Sequence, residues 1–212
     1  MIRQRAASWL SRHLVTPLHA SFVSSSRIET LTSSFVQLLP EGSLQGLDVG
    51  CGSGELAARI QEHRHDVRLT GVDVLVREKA FIKVHAFDGH HLPFPDKSFD
   101  FVIISDVLHH TDDPEALLKE CARVVTGFVL IKDHICDSPL DKATLSFMDW
   151  VGNRGYDVSL PYNYLSAASW QRAFRQAGLR IDQRIDQLSL YPQPFSLLFD
   201  RSLHFVARLS VS

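Results

Sequence analysis

Asp48-Val49-Gly50-Cys51-Gly52-Ser53-Gly54 sets one acid, then three glycines at alternate positions, directly behind an apolar run. Glycine accepts a positive φ and carries no side chain to hold a ligand off, so such a loop lets the backbone pass close to a bound molecule. A helix beginning at Glu55 would add unpaired N–H groups that favour negative charge. Spacing separates the chemistries this loop can serve. A phosphate cradle of the form G-x-x-x-x-G-K-[ST] needs a lysine, and none follows Gly54. A dinucleotide fingerprint, G-x-G-x-x-G, would need its third glycine where Glu55 stands, and that carboxylate would face a pyrophosphate. An acid in front of G-x-G-x-G suits a zwitterionic amino-acid tail instead, with loop amides for its carboxylate and Asp48 with loop carbonyls for its ammonium.

Other reactive side chains gather behind later apolar runs. Asp73 and Asp88 join Asp48 as acids at three successive strand ends, although each alone would also serve as a helix cap or turn residue. Ser105-Asp106-Val107-Leu108-His109-His110 and Lys132-Asp133-His134 follow two further runs. Imidazole titrates near neutrality, so His109, His110 or His134 can act as a general base. The plainer readings are a turn before Asp112 for His110 and a solvated strand end for Lys132 to His134. The chain has 11 histidines, but no H-x-x-x-H pair, and the adjacent pairs His90-His91 and His109-His110 do not easily aim at one ion. No metal site is expected. The aromatics Trp150, Tyr156, Tyr162 and Tyr164 cluster in one stretch and are candidates for an acceptor pocket or for facing a cation with their rings.

The elements that must position these residues alternate between strand-like and helix-like, the pattern of βαβ units in a parallel sheet covered on both faces. Strands are expected near Leu44–Val49, Leu69–Val74, Lys83–Phe87, Phe99–Ser105 and Phe128–Lys132, each rich in Val, Ile, Leu or Phe. Helices fit Glu55–His63 and Pro114–Val124, the second capped by Asp112 or Asp113 and ended by Gly127. A third helix, Ser169–Ala177, closes at Gly178, and two strands, Arg180–Leu190 and Leu203–Leu209, are expected to pair antiparallel at one edge. The stretch from Asp137 to Leu165 reads as a cover over the site. With no repeat and no linker, one domain is expected: a helical cap over 1–40, a ligand-binding core over 44–135, the cover over 137–165, and a helix with edge strands over 166–212.

Composition narrows the partners. The chain has 212 residues, 45% of them hydrophobic, and a formal net charge of -2, so no basic excess is available to neutralise a nucleic acid. Its 3 cysteines are scattered, without a C-x-x-C pair, which fits a reducing, cytoplasmic setting. No apolar run approaches the roughly 20 residues that span a bilayer, so no membrane insertion is expected. Met1–Ile28 carries Arg3, Arg5, Arg12 and Arg27 and no acid before Glu29, the composition of a transit peptide. Ala7, Leu10, Leu14 and Leu18 at helical spacing favour the alternative, an amphipathic helix packed on the domain.

Taken together, Leu47 to Gly54, Gly71-Val72-Asp73-Val74, Phe87-Asp88-Gly89, Leu92-Pro93-Phe94, Ser98-Phe99-Asp100 and Leu108-His109-His110 resemble the class I S-adenosylmethionine-dependent methyltransferases, above all those acting on small molecules. The resemblance covers about residues 44–135. It implies a Rossmann-like, doubly wound α/β fold with a mostly parallel seven-stranded sheet, the last strand antiparallel, and helices on both faces. It implies S-adenosylmethionine as cofactor, with S-adenosylhomocysteine as product, at the carboxyl ends of the strands. Asp48, Gly50, Cys51, Gly52 and Gly54 would hold the amino-acid tail, Asp73 and Val74 the ribose, and Asp88 and Gly89 the adenine. Ser105 and Asp106 would lie beside the methyl group. His109 and His134 are then the catalytic candidates, and His110, Trp150, Tyr156, Tyr162 and Tyr164 the substrate-side ones. The expected reaction moves a methyl group to an O, N or C atom of a small molecule, in a monomer or homodimer. Two alternatives stay open: a non-catalytic S-adenosylmethionine-binding partner protein on this fold, and a nicotinamide-dependent oxidoreductase, which Glu55 disfavours.

Overall fold

Hydrophobic side chains in the middle strands have no polar alternation, and a strand of that kind must be covered on both sides. The computed structural model describes residues 16–152, 161–191, 193, 196–200 and 202–211, and it shows that arrangement. Helix α1 (Thr16–Leu38) leads into β1 (Leu44–Val49), α2 (Glu55–His63), β2 (Val67–Asp73), β3 (Val84–Ala86) and β4 (Phe99–Ser105). A short 3₁₀ turn over Leu108–His110 precedes α3 (Pro114–Val124), β5 (Val125–His134), α4 (Pro139–Gly152), α5 (Ala167–Gln176), β6 (Leu179–Ile185), α6 (Ser196–Phe199) and β7 (His204–Val211).

Among the described residues, seven strands form one sheet in the order β3-β2-β1-β4-β5-β7-β6. β1 pairs parallel with β2 and β4, β2 with β3, and β4 with β5, whereas β7 runs antiparallel to both β5 and β6. This is the expected α/β architecture with its single reversed strand. Alternate residues of β4 and β5 feed opposite cores. Val102, Ile104, Val129 and Ile131 pack with Leu117, Leu118 and Cys121 of α3 and Trp170 and Phe174 of α5. Phe101, Ile103, Phe128 and Leu130 pack with Leu31 and Phe35 of α1 and Ala57 and Ile60 of α2. The guanidinium of Arg208 lies 4.1 Å from the Phe128 ring centroid and donates to the Leu38 carbonyl, tying α1 to β7.

Local sequence accounts for the helix ends. Asp113 accepts a hydrogen bond from the Ala116 amide with Pro114 in the first turn, and Ser166 caps α5 through the Ser169 amide. β1, β4, α2 and α3 have the bounds read from sequence. Others move. β3 is shorter than Lys83–Phe87, the Arg180–Leu190 run leaves the sheet after Ile185, and the Asp137–Leu165 stretch, read as a cover, opens with α4. Gly127 does not end α3; it lies inside β5, where a Cβ would meet the Asp100 carbonyl oxygen at 2.6 Å. Of the amphipathic residues expected in the cap, Ala7, Leu10, Leu14 and the side chain of Leu18 lie outside what is described, and the described part of α1 packs through Leu31, Phe35 and Leu38. Among the described residues no helix is long and apolar enough to cross a membrane.

The Gly127 contact yields a test. Because the obstructing atom is backbone, Gly127→Ala cannot be relieved by a rotamer change, and it should cost about 1–3 kcal/mol, read as a lower urea midpoint with the slope unchanged.

Candidate functional site

The chain runs outward from β1 to β2 and β3 on one side, then returns to β4 on the other side of β1. Loops leaving the carboxyl ends of β1 and β4 therefore diverge, and such a reversal is where open α/β sheets form a crevice. The glycine loop fills one wall. Gly50, Gly52 and Gly54 have φ of 69°, 58° and 75°. A Cβ at Gly50 would strike Val107 at 2.4 Å and one at Gly54 would strike Ile82 at 2.4 Å, so these two glycines serve close packing. Gly52 differs: around its missing Cβ only the Arg77 guanidinium approaches, at 3.9 Å. The Gly52 face is open to a ligand.

The loop's amides turn inward. Gly50 and Cys51 donate to the Val72 carbonyl, Gly54 to the Cys51 carbonyl, and Gly52 to Asp73 Oδ2 at 2.7 Å. The expectation that loop amides meet the ligand carboxylate thus needs another donor at these four positions, and Arg77, not singled out in the sequence, stands there. Asp73 also accepts from the Leu75 amide through Oδ1 at 2.9 Å, so the carboxylate is pinned at the strand end. Asp48 is buried. Burial first, and the charge of Asp73 second, push its carboxyl up to about 7. Val74 is 65% exposed beside Gly89, whose Cβ position lies 3.4 Å from Val74 Cγ1 and whose φ is 86°. Asp88 is exposed and accepts from the amides of His90 and His91 at 2.7 and 2.6 Å, the turn role open to it from sequence. Those bonds hold its carboxyl below the usual range.

A second cluster lies beyond β4 and β5. Asp106, with φ 57°, follows Ser105 and pairs with Lys132 of β5 and Arg27 of α1. Burial alone would raise its pKa, but the two cations outweigh burial and keep it ionised. Lys132, Asp133 and His134 are not a solvated strand end: they are 0%, 1% and 4% exposed. Asp133 Oδ1 lies 2.7 Å from His109 Nδ1, and Asp149 Oδ2 of α4 lies 3.5 Å from His109 Nε2. Burial opposes charge on this ring, yet the carboxylates prevail and raise its pKa. His134 has its Nδ1 3.3 Å from Asp133 and its pKa is well below the usual value, through burial and the nearby Lys132 charge. Tyr164 stacks on His109 at 5.6 Å and its hydroxyl donates to Asp149. Arg27, Asp106, His109, His110, His134, Met148, Asp149 and Tyr191 line a cavity of about 170 Å³.

Of the substrate-side candidates, His110 and Tyr164 thus join the site. Tyr162 reaches it only through its 6.3 Å ring contact with Tyr164. Trp150 does not join: it is 49% exposed and pairs with Phe147 on the outer face of α4. Tyr156 lies outside the described residues. Arg27, Arg77 and Asp149 were missed because no local pattern marks them; they arrive from other elements.

Residues 22–184 match the family model of a methyltransferase domain. The chain is 33% identical over 151 residues to the phosphoethanolamine N-methyltransferase of Triticum aestivum, a match covering 65% of this chain and 29% of that protein. It is 33% identical over 165 residues to the 27-O-demethylrifamycin SV methyltransferase of Amycolatopsis mediterranei, covering 70% of this chain and 58% of that one. The match thus spans under a third of the wheat protein and somewhat over half of the second. Among solved structures, an S-adenosylmethionine-dependent methyltransferase from Mesorhizobium loti superposes with a TM-score of 0.61 at 15% identity, covering 85% of this chain and 97% of that one.

The raised Asp48 pKa has a stability consequence with a definite sign. Between its ordinary value of 3.8 and about 7, the folded chain holds a proton at Asp48 that the unfolded chain has lost, so stability contributed by that proton disappears as pH rises through this window. Denaturant unfolding of Asp48→Asn should therefore match the parent near pH 4 and exceed it increasingly toward pH 7, by up to a few kcal/mol. A difference that does not change with pH would refute the burial of an ionisable Asp48.

Proposed function

The chain belongs to the methyltransferase-domain family, and on that premise we propose that it binds S-adenosylmethionine over the glycine loop and methylates an O, N or C atom of a small molecule. The observation that carries this reading is Gly52, left-handed and uncovered, with Asp73 fixed at one side and buried Asp48 behind it. When bound, the cofactor supplies a methyl group on a positively charged sulfur and departs as S-adenosylhomocysteine without needing a proton.

The chain supplies placement. Arg77 stands where the amino-acid carboxylate would lie, and the carbonyls of the Gly50 to Gly54 loop would accept from the ammonium, whose positive charge would favour ionisation of the buried Asp48 behind them. Asp73 keeps acceptor capacity for a cis-diol, since each carboxylate oxygen has a second lone pair beyond its amide bond. Val74 and Gly89 give an exposed apolar edge and an open turn for adenine, and Asp88, whose Oδ2 lies 3.1 Å from His91 Nδ1, would meet the adenine amino group through the remaining lone pair of that oxygen. Cys51 packs under the loop. Ser105 and Asp106 bound the crevice on the methyl side.

The cavity beneath α1 and α4 is assigned to the acceptor, with His110, Tyr164 and Tyr162 on its substrate side. His109, held by Asp133, and its neighbour His134 take up the proton of any acceptor that must lose one. Alignment and exclusion of water supply on the order of several kcal/mol of the barrier reduction. A small acceptor agrees with the volume of the cavity and with a net charge of -2, which gives no footing for nucleic acid. A cytoplasmic setting, a monomer or homodimer, and one domain comprising cap, core, cover and edge strands complete the proposal.

Calorimetry with S-adenosylmethionine tests it. Asp73→Ala removes two charge-assisted hydrogen bonds to the ribose, each worth about 1.5–3 kcal/mol, and should weaken binding by at least about a hundredfold. Unchanged affinity would displace the ribose from Asp73, and retention of NAD in place of S-adenosylmethionine would overturn the cofactor assignment altogether.

A further inference from the structure

The spacing of His109 and His110 gave no reason to expect an ion, but α4 brings a third donor to them. Among the described residues, ligand atoms of His109, His110 and Asp149 all lie within 4.8 Å of one another. The pair His109 Nε2 and Asp149 Oδ2 is already at 3.5 Å, close to the roughly 3.3 Å that separates two ligands around a tetrahedral ion with bonds near 2.0–2.1 Å. We propose that His109 Nε2, a ring nitrogen of His110 and a carboxylate oxygen of Asp149 form a three-ligand site for one divalent transition-metal ion of the zinc class, opening into the acceptor cavity.

Three independent features support the site. Asp133 engages His109 through Nδ1 at 2.7 Å, which leaves Nε2 as the atom aimed at Asp149; a carboxylate behind the far nitrogen is the usual orienting partner of a metal-bound histidine. Asp149 Oδ2, the oxygen facing His109 Nε2, also accepts from the Tyr164 hydroxyl, which orients the carboxylate and still leaves that oxygen a second lone pair for an ion. Among the described residues His110 Nδ1 is buried and has no hydrogen-bond partner, a cost that a ligand or ion at the cavity would relieve. Two imidazoles and one carboxylate leave at least one position of a four-coordinate ion open, as in sites that bind substrate rather than sites that only brace a fold.

A competing group, Asp106 with His109 and His134, is geometrically as compact. It is the poorer choice. Asp106 is already neutralised by Arg27 and Lys132, whose charges would repel a dication, and the group would have to draw on His134, which packs Nδ1 to Nδ1 against His109 at 3.4 Å. At the His110 side, Asp149 and Asp133 give the negative potential that a dication needs. An ion there would draw in an acceptor through an oxygen and make a hydroxyl more acidic. With Nδ1 on Asp133 and Nε2 on the ion, His109 has no nitrogen left for a proton, so the proton-accepting role of the proposed function passes to His134 when the ion is bound; the test reads uptake of the ion and not methyl transfer.

The test uses the whole chain, stripped with a chelator and titrated with Zn²⁺ in the absence of any cofactor. One equivalent should bind, with Mg²⁺ failing to compete. Asp149→Asn and His110→Ala should each weaken uptake by at least about a hundredfold, and Asp133→Asn by about 10–100-fold, while His91→Ala on the exposed turn leaves it unchanged. Zinc uptake that is absent, that persists at full affinity in the two ligand variants, or that is lost in His91→Ala instead, overturns the site. Should the variants not fold, Co²⁺ bound to the unaltered chain decides: an intense visible spectrum of a low-coordinate ion supports the site, and the pale spectrum of the hydrated ion refutes it.

Discussion

A sheet covered on both faces can meet water only along its rims, and the reversal of chain direction between β1 and β4 opens one rim. The glycine loop, Asp73, Asp106, His109 and His134 stand there, at the carboxyl ends of β1, β2, β4 and β5, and Arg27 and Asp149 reach them from α1 and α4. The same constraint explains why the glycines are unequal. Gly50 and Gly54 let neighbouring loops close down on Val107 and Ile82, and only Gly52 keeps its face uncovered. The loop is closely packed at its ends and open at its centre.

Beyond β4 the problem is one of charge. Carboxylates, a lysine and imidazoles withdrawn from water must neutralise one another, because an unpaired buried charge is costly. Asp106 settles this with Lys132 and Arg27, and His109 with Asp133 and Asp149. These pairings give the cavity two electrostatic halves, one built on Asp106 with its two cations and one on His109 between two carboxylates.

Much of this framework was legible in the chain itself. β1 and β4 are short runs dominated by Leu, Val, Ile and Phe, α2 follows directly on the glycine loop, and α3 opens on Asp113 and Pro114, so these elements were readable from local sequence. The glycine loop and the strand-end acids were legible for the same reason, as local spacing. Gly127 misled because a glycine after a helix ordinarily stops it, whereas here the close passage of the Asp100 backbone demands one within a strand. Asp149 and Arg27 could not be found, since each reaches the cavity from an element distant in sequence. Trp150 shows the converse: an aromatic beside the right residues in the chain, turned outward by its place on α4.

Arg27 is carried by α1, near the start of the chain, and α1 is fastened to β7, near its close, by Arg208 and Leu38. Asp106 and Lys132 therefore receive their third charged partner from a helix that rests on Ala57 and Ile60 of α2 as well as on β7. Loosening either attachment would draw one guanidinium away and leave a buried carboxylate with a single counter-ion, so a packing fault far from the cavity would register as a change in its charge balance.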